Sequence, residues 1–436
     1  MKKICILILF VTTLQTSKAQ SLYFPPTTGN TWDTLSATSL GWCTNQVDTL
    51  YDYLSTNNTK AFILLQDGKI VFEKYFGNFT VDSIWYWASA GKSLTSFVVG
   101  IAQQEAALSI TDTTSSYLGT GWTVAPLQKE LGITIRHQLT MSSGLDDGVP
   151  DNACTIDTCL QYLADAGTRW AYHNAPYTLL DSVIASATGV SLNNYLLQKI
   201  KVPTGMTGIY VKNDFNNVFY SKPRSMARYG LLMLNKGKWD NTPIMTDTNY
   251  FQSMISSSQS LNPSYGYLWW LNGKSAYMVP GLQIQIPGSL SPAAPADMYA
   301  ALGKNGQMLN IVPSKNLVWL RMGDAPNAGI VPFLMNDTIW QHLNKIMCTP
   351  NTLEAFNEKT SFVNVYPNPS SDDLHISLRD DRMVDIDIVD LYGNNLYKIK
   401  QHSGHLQIHI DHWPKGVYAI RVSSKMGQQV LKVVIE

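Results

Sequence analysis

Several things are scarce in this 436-residue chain, and each scarcity narrows what the protein does. Charge comes first. Asp, Glu, Lys and Arg make up 15% of the residues, and the formal net charge is +0. No basic field exists to hold nucleic acid or an anionic membrane surface. Histidine is also thin, with only His137, His173 and His342 before residue 349. No Gly-x-Ser-x-Gly elbow occurs, so a Ser-His-Asp triad is a poor fit. Beyond the N-terminus no apolar run approaches a membrane span. Internal repeats and low-complexity tracts are absent.

What remains is a globular composition. Hydrophobic residues reach 45%, with 12 Trp and 22 Tyr, enough for a large core. The length exceeds one average domain. The start, MKKICILILFVTTLQTSKAQ, has Lys2 and Lys3, a short apolar stretch from Ile4 to Val11, and the small-x-small triplet Ser17-Lys18-Ala19. It reads as a secretory signal peptide over 1–19, cut after Ala19. Cys5 lies too early to carry a lipid at that cleavage point. Its removal leaves Cys43, Cys154, Cys159 and Cys348, an even set in an exported chain, which allows three connectivities. Cys154 and Cys159 enclose only TIDT, which favours a local bridge and leaves Cys43 for Cys348; four buried free thiols are the alternative.

Along the chain, 61–77 reads as a hairpin around Asp67-Gly68. Helical periodicity appears over 93–107, 134–145, 175–200 with a break at Gly189, 225–239 with a stop at Gly237, and 331–346. Strand-like runs are YGYLWWL, MYAALG, QMLNIVP and LVWLRMG. Strands first, helices in the middle and strands at the end imply an α+β domain over 20–348. Its antiparallel sheet joins first and last strands, has helices on its faces and carries an all-helical lobe. A polar linker over 349–362 precedes short alternating strands over 363–436, a small all-β sandwich.

Three stretches hold candidate chemistry. In SIWYWASAGKSLTSF, Ser89 and Lys92 stand one helical turn apart and share a face. A serine hydroxyl is a weak nucleophile until a base takes its proton. A lysine serves only if burial lowers its pKa, and Trp85, Trp87, Phe97 and Val98 supply apolar surroundings. The plainer reading is a capping serine and a solvated lysine. In RWAYHNAPY, Tyr172 next to an ammonium can relay a proton. Asn174 there can bond a substrate amide or hold the lysine head. Otherwise this is an aromatic cluster with a helix cap, and His173 is a loop residue at the cleft rim. In ALGKNGQMLNIVP, Gly303 and Gly306 flank a tight turn where backbone N–H groups near Lys304 can complete an oxyanion hole. The ordinary alternative is a hairpin with Lys304 in solvent. The histidines of HSGH and HIDHW lack the ligand set of a zinc site, so we expect no metal.

The order S-x-x-K at 89–92, Y-x-N at 172–174 and a glycine-bearing turn at 303–306 resembles the penicillin-binding-protein and class C β-lactamase-related serine hydrolases. The segments ITIRHQLTMSSGL, YHNAPYTLLDSVIASATG and PRSMARYGLLMLNKGKW agree. The resemblance, from Tyr23 to Ile346, implies Ser89 as acylated nucleophile, Lys92 as proton acceptor, Tyr172 as shuttle and Asn174 as polar contact. It also implies an oxyanion hole from the Ser89 N–H and one near Lys304, and no cofactor. The third motif departs from Lys-Thr-Gly and is similar to the 6-aminohexanoate-dimer hydrolase branch. That favours amide or ester substrates, D-Ala-type peptides included, over β-lactams. The stretches VYPNPSSDDLHISL, DIDIVDLYGNNLY and WPKGVYAIRVSS resemble the sorting domain of the type IX secretion system of Bacteroidetes. They imply export through the periplasm, outer-membrane secretion machinery as partner, and a secreted or cell-surface product. A binding or sensor module without turnover, or a surface adhesin using an aromatic cleft, are the competing readings.

Overall fold

The computed structural model describes residues 22–324, 333–348, 362–390, 395–424 and 427–436. The signal-peptide segment and all but one residue of the linker reading lie outside them. The chain divides into two compact units between Thr349 and Pro350.

The first unit is built on an antiparallel sheet. Helix α1 (Val47–Thr56) leads into β1 (Thr59–Gln66) and β2 (Lys69–Tyr75), joined through Asp67-Gly68, where both residues take positive φ. After the helices come β3 (Trp270–Leu271), β4 (Tyr299–Gly303), β5 (Gln307–Val312) and β6 (Leu317–Gly323). The sheet order is β2-β1-β6-β5-β4-β3, so the first and last strands pair inside the sheet, one strand in from the β2 edge. Every residue of β4, β5 and β6 is buried, because helices cover both faces. Such strands are mostly apolar on both faces rather than alternating, with Gln307, Asn310 and Arg321 as buried polar exceptions. Helix α5 (Pro223–Leu234) packs on β5 and β6. It comes so close at Gly230 that an added Cβ would stand 2.5 Å from Val318. On the other face Trp340 of α6 (Phe333–Ile346) meets Trp319 at 6.0 Å and donates to Asn310 at 3.0 Å.

A helical lobe fills the middle. Its main members are α2 (Lys92–Gln104), α3 (Asn174–Thr178) and α4 (Leu180–Thr188), the last closed by Gly189 at φ 71°. The stretch YGYLWWL differs from its strand reading: only Trp270–Leu271 pairs in the sheet. Leu268 has φ 61°, and Gly266 packs against the Met254 carbonyl, so the chain turns where apolar residues suggested extension. Sulfur bridges join Cys43 to Cys348 and Cys154 to Cys159.

The second unit has two antiparallel sheets. One runs β7-β8-β11 (Val363–Tyr366, Asp373–Leu378, His405–His409), the other β10-β9-β12-β13 (Asn395–His402, Val384–Val389, Gly416–Ser424, Gly427–Ile435). Strict alternation sends Leu374 and Ile376 from one sheet, and Val384, Ile386 and Ile388 from the other, into a shared core.

Candidate active site

Ser89 sits in a 3-10 turn, Ala88–Gly91, that runs directly into α2. The turn is pinned by Trp87, fully buried, whose indole donates to Ser221 Oγ at 2.8 Å and whose N–H donates to the Phe219 carbonyl at 2.8 Å. Ala88 then takes φ 46°, a left-handed conformation that costs a non-glycine residue about 1 kcal/mol or more. Strain at this point aims the next side chain, Ser89, outward, and Ser89 is partly exposed while Ala90 and Gly91 are buried.

Lys92 opens α2 with 4% of its surface exposed, and its Nζ donates to Ser89 Oγ at 3.1 Å. Among the described residues no carboxylate pairs with it. Burial alone brings its ammonium down to a pKa of about 7. Two aromatic faces border it, with ring centroids at 4.2 Å (Tyr177) and 5.3 Å (Tyr172).

Tyr172 is 7% exposed and stacks on Trp270 at 5.9 Å with a 12° interplanar angle. Trp170 and Tyr265 complete the wall around it. Burial pushes its phenol well above the usual value, and the Ser89 hydroxyl pulls it partly back. Tyr172 therefore stays protonated near neutrality, and Lys92 is the group able to accept a proton there.

Asn174 stands at the start of α3, but its side chain does not hold the lysine head. Its Nδ2 donates to Asn152 Oδ1 at 2.7 Å, and its backbone N–H donates to the same oxygen at 2.9 Å. Asn152, on the loop ahead of the first Cys of the local bridge, was not read from the sequence, since nothing in its spacing couples it to residue 174.

Gly303, at the end of β4, lies against the serine turn. A Cβ there would come within 2.6 Å of the Trp87 carbonyl and 3.1 Å of the Ser89 nitrogen. Only glycine permits that approach. Gly306 does different work: at φ 77° it closes on the buried Arg321 guanidinium, 2.1 Å from where its Cβ would be. Arg321 donates to the carbonyls of Asn57, Asp324, Asn305 and Gly306 and to Thr59 Oγ1, so it clamps the turn from behind. Lys304 is exposed at the tip, and Asn305 Nδ2 donates to the Tyr86 hydroxyl at 2.7 Å.

His173 is not on the rim. It is 2% exposed, and burial lowers its pKa to about 4 although Asp147, Asp146 and the Leu145 backbone pull the other way. Asp147 is itself paired with Arg169 at 2.6 Å. In the second unit His375 and His405 approach to 3.2 Å and His409 meets Asp373 at 2.6 Å. No cluster of three or more metal-type ligands exists among the described residues.

A serine hydroxyl, an amine poised between its two charge states and a glycine-edged strand thus converge at one point. Comparison with known proteins bears on the family and the fold. The family model for Beta-lactamase matches residues 58–324, and the model for a secretion system C-terminal sorting domain matches 364–436. No curated protein sequence matches the chain. Among solved structures, a candidate beta-lactamase from Bacteroides dorei DSM 17855 is 18% identical, with TM-score 0.57, covering 70% of this chain and 99% of its own. A candidate 6-aminohexanoate-dimer hydrolase from Bacillus anthracis is 19% identical, with TM-score 0.53 and coverage of 75% and 89%. The octameric penicillin-binding protein homologue from Pyrococcus abyssi is 15% identical, with TM-score 0.53 and coverage of 89% and 96%. At these identities the likeness is one of fold.

Proposed function

The chain belongs to the Beta-lactamase family and ends in a secretion sorting domain, and from that premise we propose that it is an exported serine hydrolase working through an acyl-enzyme. The carrying observation is the Lys92 amine, buried with no counter-ion among the described residues and 3.1 Å from Ser89 Oγ. Ser89 Oγ attacks the substrate carbonyl carbon as its proton passes to neutral Lys92. The oxyanion forms at the N–H of Ser89 and a backbone N–H near Lys304. Tyr172, kept neutral by burial, gives its proton to the leaving amine or alkoxide and recovers one from Lys92. Water entering beside Tyr172 then attacks the acyl carbonyl carbon and passes a proton to neutral Lys92; the bond from that carbon to Ser89 Oγ breaks as Lys92 returns the proton to Oγ, and the acid leaves. Asn174, fixed by Asn152, lies beside Tyr172 as the polar contact for the substrate.

The substrate class we favour is an amide or ester, short D-Ala-type peptides included. Lys304 is exposed at the turn tip, which argues against a Lys-Thr-Gly-like clasp on a β-lactam carboxylate. We assign residues 1–19 to a signal peptide, 20–348 to the hydrolase, 349–362 to a linker and 363–436 to the module read by outer-membrane secretion machinery. The product is secreted or displayed on the cell surface.

The test is intact mass after exposure to a fluorophosphonate, with peptide mapping. One adduct on Ser89, absent from Ser89→Ala, supports the reading. A folded protein that never labels refutes it and leaves a binding or sensor module on the same fold.

A further inference from the structure

Lys92 raises a question that the proposed reaction does not answer. A buried ammonium has three N–H donors, and the contact described for it is a single hydrogen bond, to Ser89. A carboxylate would hold it firmly but would also keep it protonated, which disables it as a base. The groups facing Lys92 are instead Ser89 on its own turn and the rings of Tyr172 and Tyr177.

Tyr177 is the nearer ring. It is 5% exposed and lies on α3, its centroid 4.2 Å from Lys92 Nζ. An aromatic face attracts a cation within about 6 Å, most strongly where water is excluded, yet it cannot accept the proton. The ring is fixed at its far end. Its hydroxyl lies by Thr95, one turn beyond Lys92 on α2. Thr95 Oγ1 pairs with the Tyr210 hydroxyl at 2.9 Å, and that hydroxyl donates to the Gly91 carbonyl at 2.9 Å. Asp181 is close enough to act on Tyr177; burial raises its carboxyl to about 6, and it accepts from Asn217. The Tyr177 ring and the Lys92 backbone are thus anchored to the same two turns of α2.

We infer that Tyr177 is a positioning residue: its ring face seats the Lys92 ammonium at hydrogen-bonding distance from Ser89 without capturing the proton that catalysis must move. The inference rests on the hydrolase reading for its purpose, not for its geometry. Tyr172 is the weaker of the two seats, its centroid 5.3 Å from Lys92 Nζ against 4.2 Å for Tyr177.

The test uses the full chain with Tyr177 replaced by Phe, by 3,4,5-trifluorophenylalanine and by Leu. The Lys92 titration is followed by carbon NMR of ε-labelled lysine, assigned by loss of the signal in Lys92→Met. Fluorination preserves the shape of the ring and drains its face of electron density. The fluorinated variant should titrate ~0.5–1 pH unit below the Phe variant, because the protonated form loses its attraction. Tyr177→Leu should also slow fluorophosphonate labelling of Ser89 about tenfold or more, with Phe restoring it. Equal midpoints for the Phe and fluorinated proteins overturn the inference even if Leu unfolds the domain. A midpoint that moves while Ser89 never labels keeps the seat and removes the hydrolase reading. Labelling with unmoved midpoints does the reverse.

Discussion

The two units of this chain handle charge in opposite ways. In the second, alternation decides everything: Val384, Ile386 and Ile388 face inward while Asp385 and Asp387 between them face outward. Its ion pairs, such as Lys398 with Asp387 at 2.9 Å, lie on partly exposed surface. The first unit buries Lys92, Arg321 and His173 outright. Those three are not alike either. Among the described residues Arg321 is wrapped by five acceptors and Lys92 holds one hydrogen bond, while burial keeps His173 neutral. A buried cation with saturated donors is architecture, whereas one left nearly bare is poised to change charge.

That contrast can be broken by substitution. Ser89→Ala should remove turnover by about a thousandfold or more with an unchanged melting temperature, read by steady-state kinetics and calorimetry. Lys92→Met should lower kcat/KM by at least ~100-fold yet stabilise the domain. The sign follows from linkage: the folded pKa, about 7, lies below the unfolded value, 10.5, so stability rises with pH across that interval. The gain from Met should be roughly 2–5 kcal/mol below pH 7 and vanish by about pH 10.5, measured by denaturant titration at several pH values. Activity of the wild type should rise with pH through about 7 as Lys92 loses its proton. Arg321→Met should act in the opposite direction, costing ~3–5 kcal/mol, because four carbonyls lose a donor at once.

Two smaller effects sharpen the comparison. His173, buried neutral, should make the first unit lose about 3 kcal/mol as pH falls from 6.5 towards 4, and His173→Gln should flatten that limb. In the second unit Asp387→Asn should change stability by no more than ~1 kcal/mol at any of these pH values. A loss comparable to that of Arg321→Met would mean that the β module too relies on charge.

The same contrast explains what the sequence made legible. Alternation over 363–436 and the mostly apolar runs of β5 and β6 report directly on burial, so the strands and the meeting of first and last strands could be read. The pairing of Ser89 with Lys92 was readable because one helical turn fixes it. Tyr177 was not, because its place beneath Lys92 depends on how α3 packs against α2, and no local period encodes that. The Y-x-N spacing suggests that Asn174 reaches the lysine; Asn152, 22 residues earlier, claims it through a loop. A loop position suggests a rim for His173, since loops are usually exposed, yet the side chain is buried. YGYLWWL misled for a related reason: apolar residues there fill a core from a turn.

The bridge from Cys43 to Cys348 has a consequence for how the protein ages outside the cell. With a sequence separation of 305, it turns nearly the whole first unit into a covalent ring. A protease that cuts one loop within that ring opens it without freeing a fragment, and both new ends stay tethered close to where they were. A clipped molecule would migrate as one band until thiol is added and as two afterwards. Cleavage beyond residue 348 leaves the ring untouched, so losing the tail and losing the enzyme are separate events.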